Sequence, residues 1–328
     1  MTVLVTGGAG YIGSHTVRAL RARDVPVVVL DSLELGHTEA VLDAPIEVGD
    51  IADAALVTRV VQQYGVDAVV HFAGYKAAGE SMEMPERYFD NNVARTAVLL
   101  DALRTAGVSN FVFSSSSSVY GTPSVLPVDE SHPTGPESPY AESKLAVERM
   151  LRWYDDCHGF RSVSLRYFNA AGASFDARIG EDSPKPLNLV PLAMLAALGK
   201  IPKLSVFGTD YDTPDGSCIR DYIHVDDLAD AHVRALDYLR AGGDTTSLNV
   251  GTGIGSTVLE VIDGTKRVTG IDFPVELVGR RAGDPSAVWA DNTRVRDVLG
   301  WNATHGIDAI LDSAWAWHSS HPDGYATR

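Results

Sequence analysis

Two residues one helical turn apart, Tyr140 and Lys144, have side chains that could perform acid–base chemistry on an alcohol. Both fall in a segment of helical period, so their i, i+4 spacing places them on one helix face. A free phenol has a pKa of about 10 and is a poor base at neutral pH, but a nearby ammonium group favours the phenolate. The spacing therefore indicates a general base, although Tyr-x-x-x-Lys by itself is common by chance and is more often a surface pair.

A run of serines, residues 114–118, could supply a third catalytic group. The run could be a low-complexity linker, but it follows the predicted strand 111–113, which favours a loop at the carboxyl end of that strand. Ser116 is predicted to complete a Ser/Tyr/Lys triad with Tyr140 and Lys144 by hydrogen bonding to the reacting oxygen. Residue type alone does not decide which serine of the run does this.

Glycines at positions 7, 10 and 13 form a G-x-x-G-x-x-G motif between the first predicted strand and the first predicted helix. Glycine permits positive φ and lets the backbone approach a ligand closely, and a helix N-terminus attracts a pyrophosphate. A lone motif could be a plain turn, but strand, turn and helix follow in the right order. The motif predicts a dinucleotide site containing Gly7, Gly10, Tyr11, Ile12 and Gly13.

Asp31 ends the predicted second strand, where a carboxylate accepts hydrogen bonds from the adenosine ribose and repels a 2′-phosphate. This predicts NAD rather than NADP, and the positive nicotinamide ring would further favour a phenolate at Tyr140. Asp50 and Ile51 follow the next strand-like run and could flank the adenine, with Asp50 bonding the amino edge. An N-cap role for Asp50 is nearly as well supported.

The elements that must position these residues alternate along the first half of the chain, as in a parallel sheet covered by helices on both faces. The sequence predicts a doubly wound α/β fold of the Rossmann type, whose ligands lie at the carboxyl ends of the strands. The predicted strands are 3–5, 27–30, 68–72, 111–113 and 163–167, and the predicted helices are 12–23, 53–64, 85–106 and 140–158.

The alternation loosens after about residue 167, which predicts a second, smaller and discontinuous α/β domain. An apolar helix is expected at 189–198, and helix 226–239 and strand 248–250 are expected to return to the main sheet. The predicted division assigns residues 1–169 plus about 216–252 to the NAD-binding Rossmann domain. About 170–215 and 253–328 form the substrate domain.

Composition excludes several classes of protein. The 328 residues are 45% apolar and carry a formal charge of −16, which disfavours nucleic acid and anionic membranes as partners. Cys157 and Cys218 form no disulfide framework and are expected to be packing residues, so the cytoplasm is the expected compartment. The start of the chain lacks a signal-peptide pattern, apolar runs fall short of the roughly 20 residues of a membrane span, and no histidine spacing indicates a metal.

Motifs along nearly the whole chain extend this pattern. The sequence resembles the extended short-chain dehydrogenase/reductase family, and within it the 4-epimerases that act on UDP-hexoses. The cofactor half is shared by many sugar-nucleotide enzymes, whereas the RDYIHV and RR-x-GD blocks, occurring in this order, are more specific. The later blocks are RYFN at 166–169, GED at 180–182, VFG at 206–208, RDYIHV at 220–225 and RRAGD at 280–284.

The resemblance implies further residues of the NAD site. Tyr167 would lie against the nicotinamide, and Tyr140 and Lys144 would border it. Ser32 is included beside Asp31, although it replaces the family's usual Asn and so removes one possible ribose contact. The other residues implied to line the NAD site are Phe72, Ala73, Gly74, Lys76, Asn91 and Ser114.

The resemblance also implies a UDP-sugar site. Arg220 and Arg281 have the side-chain type that grips a diphosphate, Phe207 could stack near the uracil, and Asn188 and Asp284 could bond uracil or ribose edges. Core packing is the alternative for each aromatic residue. The full set comprises Lys76, Ser116, Tyr140, Asn169, Asn188, Leu189, Ser205, Phe207, Arg220, Tyr222, Arg281, Asp284 and Val288.

The activity implied by the resemblance is reversible C4 epimerisation of UDP-glucose and UDP-galactose through a 4-keto intermediate, with tightly bound NAD. A 4,6-dehydratase or a UDP-glucuronate decarboxylase is the alternative, but Ser117 and Ser118 stand where those enzymes carry carboxylates. A non-catalytic NAD-sensing protein is a further alternative. It would be expected to lack the Tyr140–Lys144 pair.

Two finer expectations follow from the same resemblance. Val288 stands where the family's bulky aromatic residue restricts the sugar pocket, so UDP-N-acetylglucosamine and UDP-N-acetylgalactosamine are expected to be accepted as well. The long helices 85–106 and 140–158 correspond to an intersubunit four-helix bundle, which implies a homodimer.

Overall fold

The structure is a computed structural model that describes residues 1–281 and 283–326. Ala282 of the RRAGD motif and the last two positions of the predicted substrate domain, residues 327 and 328, lie outside the described residues. Within the described residues, no helix is both long and apolar enough to cross a membrane.

The regular elements match the predicted ones, and each predicted end lies within two residues of the observed one. The strands are β1 (Thr2–Thr6), β2 (Val27–Asp31), β3 (Ile46–Val48), β4 (Val66–His71), β5 (Asn110–Ser114), β6 (Arg161–Tyr167), β7 (Asn169–Ala171), β8 (Leu204–Phe207), β9 (Ile219–His224), β10 (Thr246–Val250), β11 (Gly255–Thr257), β12 (Val275–Val278) and β13 (Ala287–Val288). The helices are α1 (Tyr11–Arg21), α2 (Ala54–Tyr64), α3 (Ala78–Glu83), α4 (Pro85–Tyr88), α5 (Arg95–Thr105), α6 (Pro139–His158), α7 (Leu189–Ala197), α8 (Val225–Arg240), α9 (Val258–Thr269), α10 (Thr293–Leu299) and α11 (Ile307–Ser320).

The predicted helix 85–106 differs in one respect from a regular α-helix. A wider π-helical turn, Phe89–Ala94, joins α4 to α5. Short 3-10 helices occur at Thr38–Val41 and Ser117–Tyr120.

Seven parallel strands form the main sheet in the order β10-β6-β5-β4-β1-β2-β3, which is the doubly wound arrangement predicted from the sequence. The direction of strand order reverses between β1 and β4. In such sheets the ligand crevice lies at the carboxyl ends of the strands flanking this reversal. Gly7 follows β1 and Phe72 follows β4, so the glycine motif lies at that crevice.

Both faces of the sheet are covered, which explains why its strands are apolar at successive positions. On one face, Val3 and Val5 of β1 belong to the same buried cluster as Leu236 of α8. On the other face, Leu4 belongs to a cluster with Leu100 of α5. Alternate residues of one strand therefore anchor helices on opposite sides.

The region after β6 builds smaller sheets beside the main one. Strand β9 pairs with β7, β11 and β13, and β12 pairs with β8. Helices α7, α9 and α11 share a buried cluster that includes Met194, Val261 and Ile310. Strand β10 pairs with β6, so the predicted return to the main sheet is confirmed. The division into two domains stays a prediction.

Candidate active site

The glycine motif forms a turn that side chains could not occupy. Gly7 has φ +70°, and a Cβ there would lie 2.5 Å from the Ala73 amide nitrogen. A Cβ on Gly13 would lie 2.2 Å from the Gly7 carbonyl oxygen. Gly10 is the N-cap of α1 and provides no side-chain cap, so the first-turn N–H groups at Tyr11 and Ile12 are available to a ligand. This bare, positively polarised turn fits a pyrophosphate.

Asp31 lies at the edge of the same turn, as predicted for a ribose ligand. Its Oδ2 accepts a hydrogen bond from the Ala9 N–H at 2.9 Å, and its Oδ1 accepts one from the Leu33 N–H at 2.9 Å. Burial raises the pKa of this carboxyl, while the two N–H groups act to lower it. Both oxygens are therefore fixed in place with lone pairs remaining, beside an exposed Ser32.

Asp50 does not cap the following helix, so that alternative is wrong. Asp53 is the N-cap of α2, and its Oδ1 accepts from the Leu56 N–H at 2.9 Å. The Asp50 carboxylate instead accepts from the Ala52 N–H at 2.8 Å and pairs with Arg95. Ile51 is buried in the core. An adenine contact by either residue stays a prediction.

The loop after β4 forms the opposite wall of the crevice. The N–H groups of Phe72 and Ala73 both donate to the Thr6 carbonyl oxygen, at 2.9 and 3.2 Å, which holds this loop against the end of β1. A Cβ on Gly74 would lie 3.1 Å from Asn92 Oδ1 and 3.8 Å from Lys144 Nζ. The predicted cofactor wall therefore reaches α6, the helix that carries the predicted catalytic pair.

Lys76 at the end of this loop has a partner that the sequence reasoning missed. Its Nζ donates to Glu181 Oε1 at 3.0 Å, and the Glu181 side chain is buried whereas Lys76 is half exposed. The Glu181 carboxylate raises the pKa of Lys76 and so maintains its positive charge. In the sequence, Glu181 stands out only as part of the GED motif. It lies 105 residues after Lys76, so the sequence gives no signal of this contact.

The predicted catalytic pair, Tyr140 and Lys144, occupies the first turns of α6. Ser138 caps this helix by accepting a hydrogen bond from the Ala141 N–H at 3.2 Å. Lys144 Nζ donates to the Ser114 carbonyl oxygen at 2.9 Å and lies 5.9 Å from the centroid of the Tyr140 ring. Both side chains are buried, so the surface-pair alternative is wrong.

Burial also sets the titration of the pair. Burial lowers the pKa of Lys144 to about 8, and the Glu148 carboxylate opposes that shift. Burial raises the pKa of Tyr140, while a hydrogen bond with Ser116 and the charge of Lys76 act in the opposite direction. The phenol therefore depends on positive charge around it to act as a base.

Three consecutive serines at the end of β5 make three different contacts. Ser114 Oγ lies 2.9 Å from Tyr167 Oη, and Ser115 Oγ donates to Glu148 Oε1 at 2.5 Å. Ser116 accepts from the Ser118 N–H at 3.2 Å and interacts with Tyr140. Of the three, Ser116 is therefore the serine that acts on the pKa of the phenol, whereas a linker role for the run is wrong.

A buried asparagine that the sequence reasoning passed over joins the cofactor wall to α6. Asn92 Oδ1 accepts from the Tyr75 N–H at 2.9 Å, and its Nδ2 donates to the Tyr75 carbonyl oxygen and to Ser143 Oγ, each at 3.0 Å. The predicted Asn91 instead donates to Asn92 at 3.1 Å. Two adjacent asparagines carry no sequence signal that separates the buried one from its neighbour.

The predicted substrate residues fall into two groups. Arg220 pairs with Asp284 and donates to the Pro285 carbonyl oxygen at 2.7 Å. The Arg281 guanidinium lies 4.2 Å from the centroid of the Phe207 ring. Phe207 is 38% exposed, so the core-packing alternative is wrong for this residue.

Five further predicted substrate residues lie in or beside β7, β8, β9 and α7. Asn169 pairs with Tyr222 across β7 and β9, and Tyr222 is buried in the cluster with Met194, which agrees with the packing alternative. Asn188 is the exposed N-cap of α7 and makes no side-chain cap. Leu189 follows it, and Ser205 lies partly buried in β8.

Val288 lies in β13, where it pairs with Arg220 of β9. Its side chain packs against a buried cluster that includes Phe168 and Leu145, the residue after Lys144. The residue is therefore near both the predicted diphosphate ligand and the catalytic helix.

The two cysteines differ in their exposure. Cys218 is buried, as expected for packing, but Cys157 is exposed, so the packing prediction is wrong for Cys157. Among residues 1–281 and 283–326, no group of three or more His, Cys, Asp or Glu side chains could hold a metal ion.

Three features together define a class of protein. They are a glycine turn at the strand-order reversal, an acidic residue at the end of the second strand, and a buried Tyr–Lys pair near a serine. This class comprises the nicotinamide-dependent enzymes of the short-chain dehydrogenase/reductase type. Residues 3–251 match the NAD dependent epimerase/dehydratase family. The chain belongs to this family.

Known members with high similarity cover the whole chain. It is 45% identical over 328 residues to the UDP-glucose 4-epimerase of Halalkalibacterium halodurans, covering 100% of this chain and 98% of the relative. The UDP-glucose 4-epimerase of Bifidobacterium longum in complex with NAD⁺ and UDP superimposes with a TM-score of 0.93 at 40% identity, covering 99% and 100%. The UDP-Glc/GlcNAc 4-epimerase of Campylobacter jejuni gives 0.86 at 41% identity, covering 97% and 99%.

Proposed function

We propose that this protein catalyses the reversible C4 epimerisation of UDP-glucose and UDP-galactose through a 4-keto intermediate. The observation that carries the proposal is the buried Tyr140, which interacts with Ser116 at the end of the sheet where the glycine turn lies. Relatives with this name share 45% identity along the whole chain.

The proposed chemistry assigns one task to each catalytic side chain. When bound, NAD accepts a hydride from C4 of the sugar and returns it. The Tyr140 oxygen takes the proton of the 4-hydroxyl group and later gives it back, and Ser116 hydrogen bonds to the reacting oxygen. The positive charge of Lys76 acts to lower the pKa of Tyr140, and the Lys144 ammonium group, 5.9 Å from the centroid of the phenol ring, is proposed to favour the phenolate as well. Because Tyr140 is only 8% exposed, bulk water has little access to this step.

The UDP part supplies the binding energy in this proposal. Arg281 beside Phe207 and the Arg220–Asp284 pair offer guanidinium groups for the diphosphate and an exposed ring for the uracil. The sugar must turn over between the two hydride transfers, so strong contacts to UDP and weak contacts to the hexose suit the reaction. NAD is proposed to stay bound through each turnover, held by the glycine turn and Asp31.

A wider substrate range is supported by the side chain of residue 288. Val288 is partly buried, is smaller than an aromatic residue and forms no hydrogen bond with its side chain. The similar Campylobacter jejuni enzyme is described as acting on both glucose and N-acetylglucosamine nucleotides. We therefore propose that UDP-N-acetylglucosamine and UDP-N-acetylgalactosamine are also substrates.

A homodimer is proposed through α5 and α6, which lie side by side on one face of the sheet. Leu99 and Leu103 of α5 belong to the same buried cluster as Leu151 of α6, so the two helices are neighbours. Their outer surface carries Val98, 39% exposed, and Trp153, 66% exposed. A large exposed indole on a paired-helix surface fits a partner helix pair.

We also propose a cellular location and a division into two domains. Both cysteines are free, which suits a reducing cytoplasm. The proposed substrate domain comprises the small sheets with α7, α9 and α11, and the proposed NAD-binding domain comprises the main sheet with its helices.

The direct test is to incubate the purified protein with UDP-galactose, first without and then with added NAD, and to measure UDP-glucose. Product without added NAD is expected if the coenzyme remains bound. No product under either condition would rule out the proposed activity and favour a non-catalytic NAD-sensing role. A 6-deoxy-4-keto sugar from a glucose nucleotide would instead indicate a dehydratase, and CO₂ from UDP-glucuronate a decarboxylase.

A further inference from the structure

A buried ion pair lies directly beneath the catalytic residues. Arg166 on β6 donates from Nε to Glu148 Oε1 at 3.0 Å and from Nη2 to Glu148 Oε2 at 2.5 Å. Arg166 is 7% exposed and Glu148 is 8% exposed. The two-point geometry fixes the orientation of both side chains.

The pair continues into a chain of hydrogen bonds that ends at the catalytic loop. Glu148 Oε1 accepts from Ser115 Oγ at 2.5 Å. Arg166 Nη1 donates to Tyr120 Oη at 2.9 Å, and Tyr120 Oη donates to Asn249 Oδ1 at 2.7 Å. The segment 115–120, which contains Ser116, is therefore held at both ends by one ion pair.

The neighbours of these residues along the chain are the proposed catalytic groups. Glu148 lies one helical turn after Lys144 on α6, and Arg166 immediately precedes Tyr167 on β6. Ser115 lies between Ser114, whose carbonyl oxygen accepts from Lys144, and Ser116. The ion pair thus connects the three elements that carry the proposed active site.

Stability alone is a weak reason for such a pair. Removing two charges from water costs free energy that their attraction often does not fully recover, and well-packed apolar residues are frequently as stabilising. Geometry is a stronger reason, because a displacement of about 1 Å at a reacting group can lower a rate by about 100-fold.

We propose that Glu148 and Arg166 are positioning residues, which hold the 114–116 loop, Lys144 and Tyr167 in the mutual arrangement that epimerisation requires. They touch neither the sugar nor the coenzyme in this role; they act through Ser115 and Tyr120. The inference rests on the proposed function, since it is the epimerase reaction whose geometry they would maintain.

The test uses the full chain with its coenzyme and compares matched variants. Glu148→Gln keeps the size of the side chain and removes its charge, and Ser115→Ala removes a single contact to the catalytic loop. Asp67→Asn is the control, because Asp67 forms an equally bidentate pair with Arg240 at 2.9–3.1 Å between β4 and α8, away from the catalytic loop. For each variant, kcat, KM for UDP-galactose and Tm are measured.

Glu148→Gln and Ser115→Ala are expected to lower kcat by about ten-fold or more while KM changes by less than about two-fold. Asp67→Asn is expected to leave kcat within about two-fold of the parent. Equal effects of all three variants on kcat, or a rise in KM without loss of kcat, would overturn the proposal.

A double variant separates positioning from stability. Glu148→Leu with Arg166→Met replaces the ion pair by apolar side chains. It removes the Glu148 contact of Ser115 and the Arg166 contact of Tyr120, while Tyr120 keeps its hydrogen bond to Asn249. A double variant with the same Tm as the parent but a low kcat supports a positioning role. A double variant in which both Tm and kcat equal those of the parent overturns it.

If the parent turns over no UDP-hexose, that result counts against the proposed function only. A crystal structure of Glu148→Gln then tests the positioning proposal without any measurement of activity. The distance from Lys144 Nζ to the Ser114 carbonyl oxygen is 2.9 Å in the parent. A loop displaced so that this hydrogen bond is lost supports positioning, and an unchanged distance overturns it.

Discussion

Lys144 Nζ donates a hydrogen bond to the main-chain carbonyl oxygen of Ser114, at a distance of 2.9 Å. This contact joins the catalytic helix to the end of the strand that precedes the serine loop, 30 residues earlier in the chain. Because the lysine is buried, the carbonyl oxygen replaces part of its lost hydration and fixes the ammonium group beside Tyr140. This hydrogen bond explains how the Lys144 ammonium group keeps a fixed position near the tyrosine, which a mobile cation at the surface would not do.

Replacement of the proposed general base should remove most of the activity. Tyr140→Phe is expected to lower kcat by about 1000-fold with NAD binding retained, because only the proton-transferring oxygen is lost. The matched control is Tyr88→Phe: Tyr88 is equally buried, its ring lies 6.4 Å from that of Tyr140, and its hydroxyl binds Glu80. Similar losses in both variants, measured as UDP-glucose formed from UDP-galactose, would contradict the assignment.

Burial of Lys144 should make stability depend on pH in a defined direction. Burial lowers its pKa from 10.5 to about 8. Between these values the unfolded chain retains the proton and the folded chain has lost it, so stability contributed through Lys144 rises with pH. Below about pH 8 both states are charged, and the folded state bears the full cost of the buried charge.

The variant Lys144→Met removes this dependence and so measures it. The free energy of unfolding of the parent, relative to Lys144→Met, is expected to rise by about 2 kcal/mol from pH 7.5 to 9.5. Urea denaturation at equal NAD content provides the values. A difference that stays constant over this range would show that Lys144 keeps an ordinary pKa, and a difference that falls would show that its pKa is raised.

The glycine turn should tolerate no side chain at position 13. A Cβ on Gly13 would lie 2.2 Å from the Gly7 carbonyl oxygen and would push the turn away from the coenzyme phosphates. Gly13→Ala is expected to raise the Kd for NAD by about 100-fold, equivalent to about 3 kcal/mol. Gly306→Ala is the control, since a Cβ there meets no heavy atom within 4 Å. An unchanged Kd for Gly13→Ala, measured by calorimetry, would exclude this turn as the pyrophosphate site.

A bulky residue at position 288 should discriminate between sugars. Val288→Tyr is expected to lower kcat/KM for UDP-N-acetylglucosamine by about ten-fold or more, because the ring would occupy space needed by the acetamido group. The value for UDP-galactose in the same variant serves as the internal control and should change by less than about two-fold. Equal loss for both substrates would count against a specificity role for Val288.

A charge on the outer surface of α6 should dissociate the proposed dimer. The Trp153 side chain is 66% exposed in the single chain and would be covered by the partner in the proposed dimer. Trp153→Glu places a carboxylate there, and removing that charge from water is costly. Light scattering after size exclusion is expected to give half the parent's mass. Ile254→Glu, at a residue 70% exposed elsewhere, should leave the mass unchanged. A parent that is itself monomeric would refute the dimer.

The fold could be predicted because its signals are local. Each strand of the main sheet is a short apolar run and each helix has its own period, so the predicted ends at 27–30 and 140–158 agree with β2 and α6 within two residues. The π-helical turn at Phe89–Ala94 has no sequence pattern of its own. Its residue Asn92 binds Tyr75 and Ser143, which lie in other parts of the fold. The N-cap of α2 was ambiguous for a similar reason: Asp50 and Asp53 both precede it, and only the backbone path shows that Asp53 caps the helix.

By itself, the sequence determined the doubly wound fold, the glycine turn and the Tyr140–Lys144 pair, because each depends on residues close together in the chain. The tertiary structure alone decided that Ser116 is the serine that acts on the phenol, that Glu181 binds Lys76 although they are 105 residues apart, and that Arg166 binds Glu148. Those contacts arise where separate elements pack together, and their formation depends on burial and distance, which residue type and spacing do not specify.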